Sequence, residues 1–405
     1  MTSYEDIVCD ANNLYKAYKA SIKGSKWKET THRFMVNFLT YIFQLQEELL
    51  SRTFTNGPVH EFTLSERGKI RPIASFPVKD RIVRHVLIDD VLLPEVRKKI
   101  IYDNCASIEG RGISQQRKRF EIHLHRYYKA HGNDGWILLG DFSKFYDNII
   151  HEIAKRQLME LFGDDEFVSW LLSLIFDGFR VDVSYMSDEE YERCYDEIFD
   201  SLAYRDIPKD LLTGEKWMNK SVIIGDHLSQ VIGVFYPNCI DTWIKYVCGQ
   251  KFYGRYVDDW YVMNPDRQAL INILHGIEEI ALGLGIHINY KKTRIIKISS
   301  TFRFLQIKYS LTSDGRVIKR INPKRISNER RRLRKYAAKV AEGVIPYETV
   351  EGHFKSWMGS FYKLMSREQR KNLISLFEGL FNKKISIMNK KMVMEDADTG
   401  LLTAA

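Results

Sequence analysis

Three aspartates in two separate segments have the residue type and spacing of a divalent metal site. Asp258 and Asp259 are adjacent and lie between runs rich in Tyr, Val, Trp and Phe, so this segment predicts a strand, an acidic turn and a second strand. Asp141 follows another apolar run, WILLG, far upstream. Because gathered carboxylates repel each other, they commonly hold a cation, and oxygen-only ligands suit Mg²⁺.

The three carboxylates can meet if each strand delivers its aspartate to the same end of one sheet. Two metal ions held in this way support in-line phosphoryl transfer. A solvated turn in a surface hairpin is the alternative for Asp258 and Asp259 alone. Asp141 favours the metal site because it supplies a second acidic centre.

The charge of the chain is typical of a protein with a polyanionic partner. Its 405 residues carry a net charge of +9, and its pI is about 9.0. A membrane surface is the alternative partner, but no apolar run is long enough to span a bilayer and the first residues do not resemble a signal peptide. We expect a cytoplasmic protein with no membrane partner. The five cysteines lack zinc-site spacing and are expected to be reduced.

Two motifs resemble those of reverse transcriptases. YVDD at 256–259 is similar to their motif C, and LLGDFSKFYD at 138–147 is similar to their motif A. The resemblance covers about residues 67–311 and is closest to the prokaryotic enzymes of diversity-generating retroelements and defence systems. It implies an α+β fold, a right-hand polymerase with fingers, a palm whose antiparallel sheet has helices on one face, and a helical thumb.

We expect the chain to divide along the lines of this architecture. Apolar residues recur at helical spacing near the N-terminus, and the composition becomes strongly basic beyond Gly315. The expected segments are an N-terminal helical segment at 1–60, fingers at 61–135, a palm at 136–312 with an insertion at about 180–215, a helical thumb at 313–390 and a flexible tail at 391–405. The insertion is expected to be helical and to offer a surface for an accessory protein.

Lys69 and Arg71 lie in a predicted hairpin of the fingers. The resemblance implies that they hold the triphosphate of the incoming nucleotide. Arg binds phosphate through two parallel hydrogen bonds and Lys supplies a point charge, so both residue types suit this role. An exposed basic hairpin without such a role is the alternative.

Further cations of the fingers are candidates for nucleic-acid binding. Arg81 and Arg84 stand near the start of an apolar helix and are expected to contact the template backbone or to pair with Asp80 or Asp89. Arg117 belongs to a basic helix that resembles the segment under the template strand in this family.

The resemblance assigns roles to the residues around motif A. Asp141 would bind both metal ions, with the backbone carbonyl of Phe142 as a further ligand. Tyr146 would close the space of a ribose 2′-hydroxyl and so select deoxynucleotides; a core tyrosine is the alternative. Asp147 is predicted to be the N-cap of the helix that follows.

GDHLSQ at 225–230 resembles motif B in the form found in diversity-generating retroelements. Gly225 is predicted to begin a turn and Gln230 to enter a helix, where Gln230 would frame the sugar and base of the nucleotide. Many reverse transcriptases have Gln-Gly before this loop. Its absence here predicts relaxed base selectivity.

Lys292 follows a predicted amphipathic helix and resembles the lysine of motif D, which lies near the leaving pyrophosphate and is a candidate general acid. A cation that only faces phosphate is the alternative. TFRFLQIKYSL resembles the primer-grip hairpin, with Gln306 in place of the usual glycine.

The basic helix of the expected thumb carries the candidates for duplex binding. A helix this densely cationic repels itself unless an anion is bound, although a solvated face is the alternative. The candidates are Arg330, Arg331 and Arg334.

The sequence therefore predicts an RNA-directed DNA polymerase that copies an associated structured RNA into cDNA in a retroelement or antiphage system. Two Mg²⁺ ions are the expected cofactors, with Mn²⁺ as the alternative ion. The expected partners are a non-coding or template RNA, an RNA–DNA duplex, deoxynucleoside triphosphates and an accessory protein. A template-independent or protein-primed DNA polymerase shares every motif, and a non-catalytic RNA-binding scaffold is the alternative from another class.

Overall fold

The computed structural model describes residues 3–66, 69–204 and 207–387, without the side chains of residues 66, 69 and 209. The flexible tail predicted at 391–405 lies outside these ranges. The chain divides into two compact units, Met1–Lys297 and Ile298–Ala405.

Helices open the first unit, as the sequence predicts. Their bounds are α1 (Tyr4–Cys9), α2 (Ala11–Ser21), α3 (Glu29–Val36) and α4 (Phe38–Leu50). Ser3 Oγ caps α1 by accepting from the backbone N–H of Asp6 at 3.0 Å, and Asp10 caps α2 in the same way. Leu14 and Leu45 are among the residues that these helices bury.

A strand pair and a run of helices follow. Their bounds are β1 (His60–Glu66), β2 (Lys69–Ser75), α5 (Val78–Val86), a π-helical segment (Leu87–Leu92), α6 (Leu93–Lys99) and α7 (Ile113–His131). The strands are antiparallel, with His60 opposite Ser75. The strand pairing expected of the hairpin that carries Lys69 and Arg71 is confirmed.

The next segment begins with the strand that leads to Asp141. The elements are β3 (Trp136–Gly140), β4 (Phe142–Ser143), a 3-10 turn (Phe145–Asn148), α8 (His151–Met159) and α9 (Glu166–Asp177). Apolar side chains of α9, including Leu171 and Ile175, are buried in the main core of this unit.

The predicted insertion at 180–215 is only partly helical. Its elements, with the strand that follows, are β5 (Val181–Asp182), α10 (Asp188–Asp196) and β6 (Trp217–Met218). The strands β5 and β6 pair with each other, and Val183, Phe199 and Met218 belong to a small separate core. The expectation of a helical insertion is therefore correct for 188–196. The other described elements of this range are β5 and two short 3-10 helices, Ser201–Tyr204 and Lys209–Leu211.

The remaining elements of the first unit surround the acidic turn. They are α11 (His227–Phe235), α12 (Asn238–Thr242), a π-helical segment (Trp243–Val247), β7 (Tyr253–Tyr256), β8 (Asp259–Asn264), α13 (Arg267–Gly283), β9 (His287–Ile288) and β10 (Arg294–Lys297). The predicted strand, turn and strand around YVDD are thus present.

A central antiparallel sheet positions the acidic residues. In the described part of the chain its strand order is β10-β3-β8-β7. Ile137, Leu138 and Val262 are fully buried, and α13 packs against β3 and β8. This mixture of helices with an antiparallel sheet confirms the predicted α+β class.

The second unit contains a sheet and a helical bundle. Its elements are β11 (Phe302–Phe304), β12 (Ile307–Leu311), β13 (Val317–Ile321), α14 (Pro323–Ala341), α15 (Tyr347–Phe361) and α16 (Arg367–Phe381). Leu305 and Gln306 both have positive φ angles in the turn before β12, so the hairpin forms without the usual glycine. Leu333, Phe354 and Phe377 are fully buried in the core of the bundle. No helix in the described ranges is long and apolar enough to cross a bilayer.

Candidate active site

The three aspartates reach the same end of the central sheet. Gly140, the last residue of β3, lies opposite Trp260 in β8. Asp141 follows Gly140, and Asp259 precedes Trp260 as the first residue of β8. Asp258 lies in the turn between β7 and β8. The antiparallel register therefore brings acids from two distant segments to one edge.

Close packing behind this edge requires a glycine at residue 140. A Cβ atom on Gly140 would lie 2.0 Å from the indole of Trp260, which is 1 % exposed. A larger residue would push β3 away from β8. The position of Asp141 relative to the acidic turn therefore depends on this contact.

The acidic turn has a strained backbone that a buried arginine supports. Val257 has a φ of +58°, in the left-handed region that β-branched residues rarely adopt. Arg255 Nη1 donates a hydrogen bond to the Val257 carbonyl at 2.9 Å. The turn that presents Asp258 is therefore held from inside the protein.

Arg255 is fully buried and forms an ion pair with Asp241, which is also fully buried. Its Nε and Nη2 donate to the two Asp241 oxygens at 2.7 and 2.6 Å. Tyr253 donates to the same carboxylate, and burial together with Asp241 raises the pKa of Tyr253. Arg255 also donates to the carbonyls of Gly233 and Val234 at 3.3 and 2.7 Å. This network ties α11 to the acidic turn.

Two residues of one segment hold Asp141 in place. Lys292 Nζ lies 2.6 Å from Asp141 Oδ2, and Asn289 Nδ2 donates to the same oxygen at 2.9 Å. The Asn289 backbone N–H also donates to the Asp141 carbonyl at 2.8 Å. Asp141 is only 4 % exposed, so these contacts orient a nearly buried carboxylate.

Tyr146 lies between the acidic turn and α11. A Cβ atom on Gly233 of α11 would lie 2.6 Å from the Tyr146 hydroxyl, so the ring packs closely against this helix. Burial, together with the charge of Asp258, raises the pKa of Tyr146 to about 12. The phenol is therefore neutral at physiological pH, and its ring is part of the wall beside Asp258.

Comparison with known families identifies the chain. The family described as "Reverse transcriptase (RNA-dependent DNA polymerase)" matches residues 59–309, which is more than half of the sequence. The chain belongs to the reverse transcriptase family. No curated protein matches it in a sequence search.

Among solved structures, the fold of this reverse transcriptase is similar to telomerase from Candida albicans, determined with a TWJ fragment of telomeric RNA. The TM-score is 0.45 and the sequence identity is 13 %. The match covers 84 % of this chain and 57 % of the telomerase chain. The reverse transcriptase thus spans little more than half the length of that relative.

Reverse transcriptases use divalent metal ions, and the acidic edge has suitable ligands. Asp258 and Asp259 are half-buried, and Asp141 is buried. Carboxylate oxygens with a backbone carbonyl such as that of Phe142 are a typical ligand set for Mg²⁺. Within the described ranges the oxygens of the three acids do not all lie within 4.8 Å of one another. The ligand chemistry fits a divalent ion, and these are the residues that would hold it.

The candidate nucleotide-binding residues lie on two elements. Arg71 is half-buried in β2, whereas the side chain of Lys69 lies outside the described part of the structure. Gln230 is exposed on α11 and lines a cavity of about 310 Å³ together with Arg81 and His227. The cavity opens beside the start of α11.

The prediction that Arg84 binds nucleic acid is wrong for this structure. Arg84 is 1 % exposed, and its Nε lies 2.7 Å from an oxygen of Asp226, with Asp80 at 3.8 Å. Pairing with Asp80 is the alternative that the sequence leaves open. Arg84 is buried because it lies on the same face of α5 as the apolar residues that pack into the core. Arg81 is half-buried and donates to the Ser21 carbonyl at 2.8 Å.

Two groups of candidate nucleic-acid contacts remain at the surface. Arg117 is half-buried near Tyr256. Burial raises the pKa of Tyr256, and the positive charge of Arg117 offsets part of this rise. In the second unit, Arg331 and Arg334 are exposed on α14 and Arg330 is half-buried.

Asp147 does not cap α8 as predicted. It lies in the 3-10 turn before the helix and accepts a hydrogen bond from Ser201 at 2.6 Å. The N-cap position of α8 is Ile150, which has no side-chain acceptor. Residues 144–150 connect β4 with α8. The helix therefore begins only at His151, and Asp147 lies too early in the chain to cap it.

The sequence reasoning missed the residues that orient the acids. Asn289 is one polar residue in a polar loop, and no spacing distinguishes it. Arg255 could have been recognised from the sequence. It lies two residues after buried Tyr253 in the same strand and therefore faces inward, where a charge needs a partner. Its partner Asp241 is buried in the short helix α12 and could have been matched to it.

Proposed function

We propose that the chain is an RNA-directed DNA polymerase that adds deoxynucleotides to a primer 3′-hydroxyl. The convergence of Asp141, Asp258 and Asp259 at one end of the sheet, beside Lys292, supports this proposal most strongly. A scaffold gains nothing from gathering three carboxylates that repel each other.

The acids and their neighbours have complementary roles in this proposal. Asp141, Asp258, Asp259 and the Phe142 carbonyl would hold two Mg²⁺ ions, with Mn²⁺ as the alternative. When bound, such ions activate the attacking hydroxyl and stabilise the charge on the leaving pyrophosphate. Asn289 orients Asp141 through two hydrogen bonds and so prepares its carboxylate for the ion.

Lys292 has two tasks in this proposal. In the structure its ammonium neutralises the buried Asp141 carboxylate, with which it forms an ion pair at 2.6 Å. Its side chain is 51 % exposed, so it can also move toward a bound nucleotide. There it would donate a proton to the leaving pyrophosphate as general acid.

The nucleotide would be framed from several sides. Lys69 and Arg71 would bind the triphosphate, and Gln230 would contact the sugar and base. The Tyr146 ring would occupy the space of a ribose 2′-hydroxyl, since it packs beside Asp258 against Gly233. This arrangement favours deoxynucleotides over ribonucleotides.

Nucleic-acid binding would use exposed and half-buried cations of each unit. Arg81 and Arg117 in the first unit are candidates for the template, and Arg330, Arg331 and Arg334 on α14 for the RNA–DNA duplex. We further propose that the template is a structured RNA of a prokaryotic retroelement or antiphage system. The insertion around α10 would serve as the surface for an accessory protein.

Sequencing the product tests this function. The purified protein is given an RNA with an annealed DNA primer, the four deoxynucleoside triphosphates and Mg²⁺. We expect DNA complementary to the RNA. A product of unrelated sequence would support template-independent synthesis, DNA covalently attached to the protein would support protein priming, and no product would favour the RNA-binding scaffold.

A further inference from the structure

Two histidines and an aspartate meet outside the carboxylate site. His85 lies in α5, Asp89 lies in the π-helical segment that follows, and His227 is the first residue of α11. His85 Nδ1 lies 3.0 Å from Asp89 Oδ2, and His227 Nε2 lies 2.9 Å from Asp89 Oδ1. The centroids of the two imidazole rings are 4.7 Å apart. We refer to these three residues as the histidine cluster.

The histidine cluster has the chemistry and spacing of a transition-metal site. One ligand atom from each residue can be chosen so that all three lie within 4.8 Å of one another, and no other trio of His, Cys, Asp or Glu in the described ranges meets this condition. Two imidazole nitrogens with one carboxylate oxygen suit Zn²⁺, which binds such ligands in a tetrahedron. The fourth position would be left for water.

An ion can reach the histidine cluster from solvent. The Asp89 side chain is 43 % exposed, and His85 and His227 line the cavity of about 310 Å³ beside Gln230. The helix that carries Asp89 widens to π geometry over Leu87–Leu92. Such segments are rare and occur frequently at functional sites, which is a second reason to expect a ligand here.

We propose that the histidine cluster binds one Zn²⁺ ion that joins α5 to the start of α11. His85 and Asp89 lie about one helical turn apart and would supply two ligands from one side. His227 would supply the third from the other side. The ion would fix the start of the helix that carries Gln230, three residues further along. A metal-free bridge, in which both imidazoles share the Asp89 carboxylate, is the alternative.

Zn²⁺ titration of the full chain tests this proposal. The protein is stripped with a chelator and titrated with Zn²⁺ in excess Mg²⁺, which occupies oxygen-only sites. We expect one Zn²⁺ per chain, and an affinity at least about 100-fold lower in His227→Gln and Asp89→Asn, because even the outer partners of a ligand change metal affinity by about 10–100-fold. His125→Gln, at an exposed histidine, is the matched control and should bind as the wild type does.

Co²⁺ provides a second readout that a merely structural bridge would not give. Visible absorption of tetrahedral Co²⁺ should appear in the wild type and be absent in Asp89→Asn, a partly exposed position where the change preserves side-chain shape and circular dichroism verifies the fold. Asp258→Asn should retain the ion, which separates this site from the carboxylates. Equal Zn²⁺ affinity in the wild type, His227→Gln and Asp89→Asn, or no bound Zn²⁺ in the wild type, would overturn the proposal.

Discussion

The ammonium nitrogen of Lys292 lies 2.6 Å from Oδ2 of Asp141, although 151 positions separate the two residues in the chain. The contact places the proposed general acid directly beside the proposed metal ligand. It also explains how a carboxylate that is 4 % exposed is tolerated before any ion binds, because the ammonium and Asn289 compensate for its lost hydration.

Lys292→Ala should slow nucleotide addition by about 10²–10⁴-fold, which is the usual contribution of a positioned general acid. Single-turnover primer extension measures this rate. Lys291→Ala is the matched control, since Lys291 is an exposed neighbour with no proposed role. Similar rates for Lys292→Ala and Lys291→Ala would argue that Lys292 is not the acid.

Arg255→Met should destabilise the protein because it leaves the Asp241 carboxylate buried without its partner. Breaking a buried ion pair typically costs about 3–5 kcal/mol in the free energy of unfolding. Urea denaturation measures this loss. Arg255→Met combined with Asp241→Asn removes both charges and should recover part of the stability. If the single variant unfolds at the same urea concentration as the wild type, the ion pair does not contribute to the free energy of unfolding as proposed.

The same arginine should matter for catalysis through the acidic turn. Its hydrogen bond to the Val257 carbonyl holds a strained residue next to Asp258. Arg255→Met that remains folded should therefore show a lower rate at saturating nucleotide, with a smaller change in KM. A change confined to KM would contradict this positioning role.

Tyr146→Ala should admit ribonucleotides. Removing the ring opens the space beside Asp258, and a steric difference of this size commonly changes discrimination by about 10-fold or more. The ratio of kcat/KM for ribonucleotide and deoxynucleotide addition measures it. Tyr146→Phe keeps the ring and should discriminate as the wild type does. Unchanged discrimination in Tyr146→Ala would mean that the ring only packs against Gly233.

His151 should make stability depend on pH. It is buried and donates from Nε2 to the Ser221 carbonyl at 2.6 Å, and burial lowers its pKa from 6.5 to about 4. Below pH 6.5 His151 binds a proton in the unfolded chain, but in the folded chain it stays neutral until about pH 4. The free energy of unfolding therefore decreases as the pH falls from 6.5 to about 4. Between pH 7 and pH 5 the loss amounts to about 2 kcal/mol.

Urea unfolding of the wild type and His151→Gln at both pH values isolates this effect from other titrating groups. Glutamine can still donate to the Ser221 carbonyl but does not titrate. We expect the fall in stability to be smaller in the variant by about 2 kcal/mol. An identical fall in both proteins would show that His151 does not bind a proton on unfolding.

The sequence predicts the parts of this fold that depend on local pattern. The YVDD hairpin follows from two β-forming runs around an acidic pair, and the end of β3 follows from an apolar run that stops at Asp141. Register then brings the acids together, because each strand ends at the same edge. The composition of the runs around Asp258 and Asp259, and of the run before Asp141, is sufficient to predict the hairpin and the end of β3.

The rest depends on tertiary contacts that no local pattern reveals. The sequence predicts that Arg84 contacts the template backbone or pairs with Asp80 or Asp89. In the structure α5 buries the face that carries Arg84, and its 2.7 Å partner, Asp226, comes from a distant segment. Asn289 orients Asp141 only because β4 and β9 pair, and both strands are two residues long. Such short elements leave no periodicity to detect.

Primer extension with Asp258→Ala is the sharpest test of whether the acidic turn holds the metal ions of the reaction. A DNA primer annealed to RNA is extended by the wild type, by Asp258→Ala and by Asp210→Ala, an exposed aspartate that serves as the control. Losing a metal ligand should remove several kcal/mol of transition-state stabilisation, so extension by Asp258→Ala should fall at least about 10³-fold while Asp210→Ala keeps the wild-type rate. Wild-type extension by a folded Asp258→Ala protein would show that polymerisation does not need Asp258 as a metal ligand.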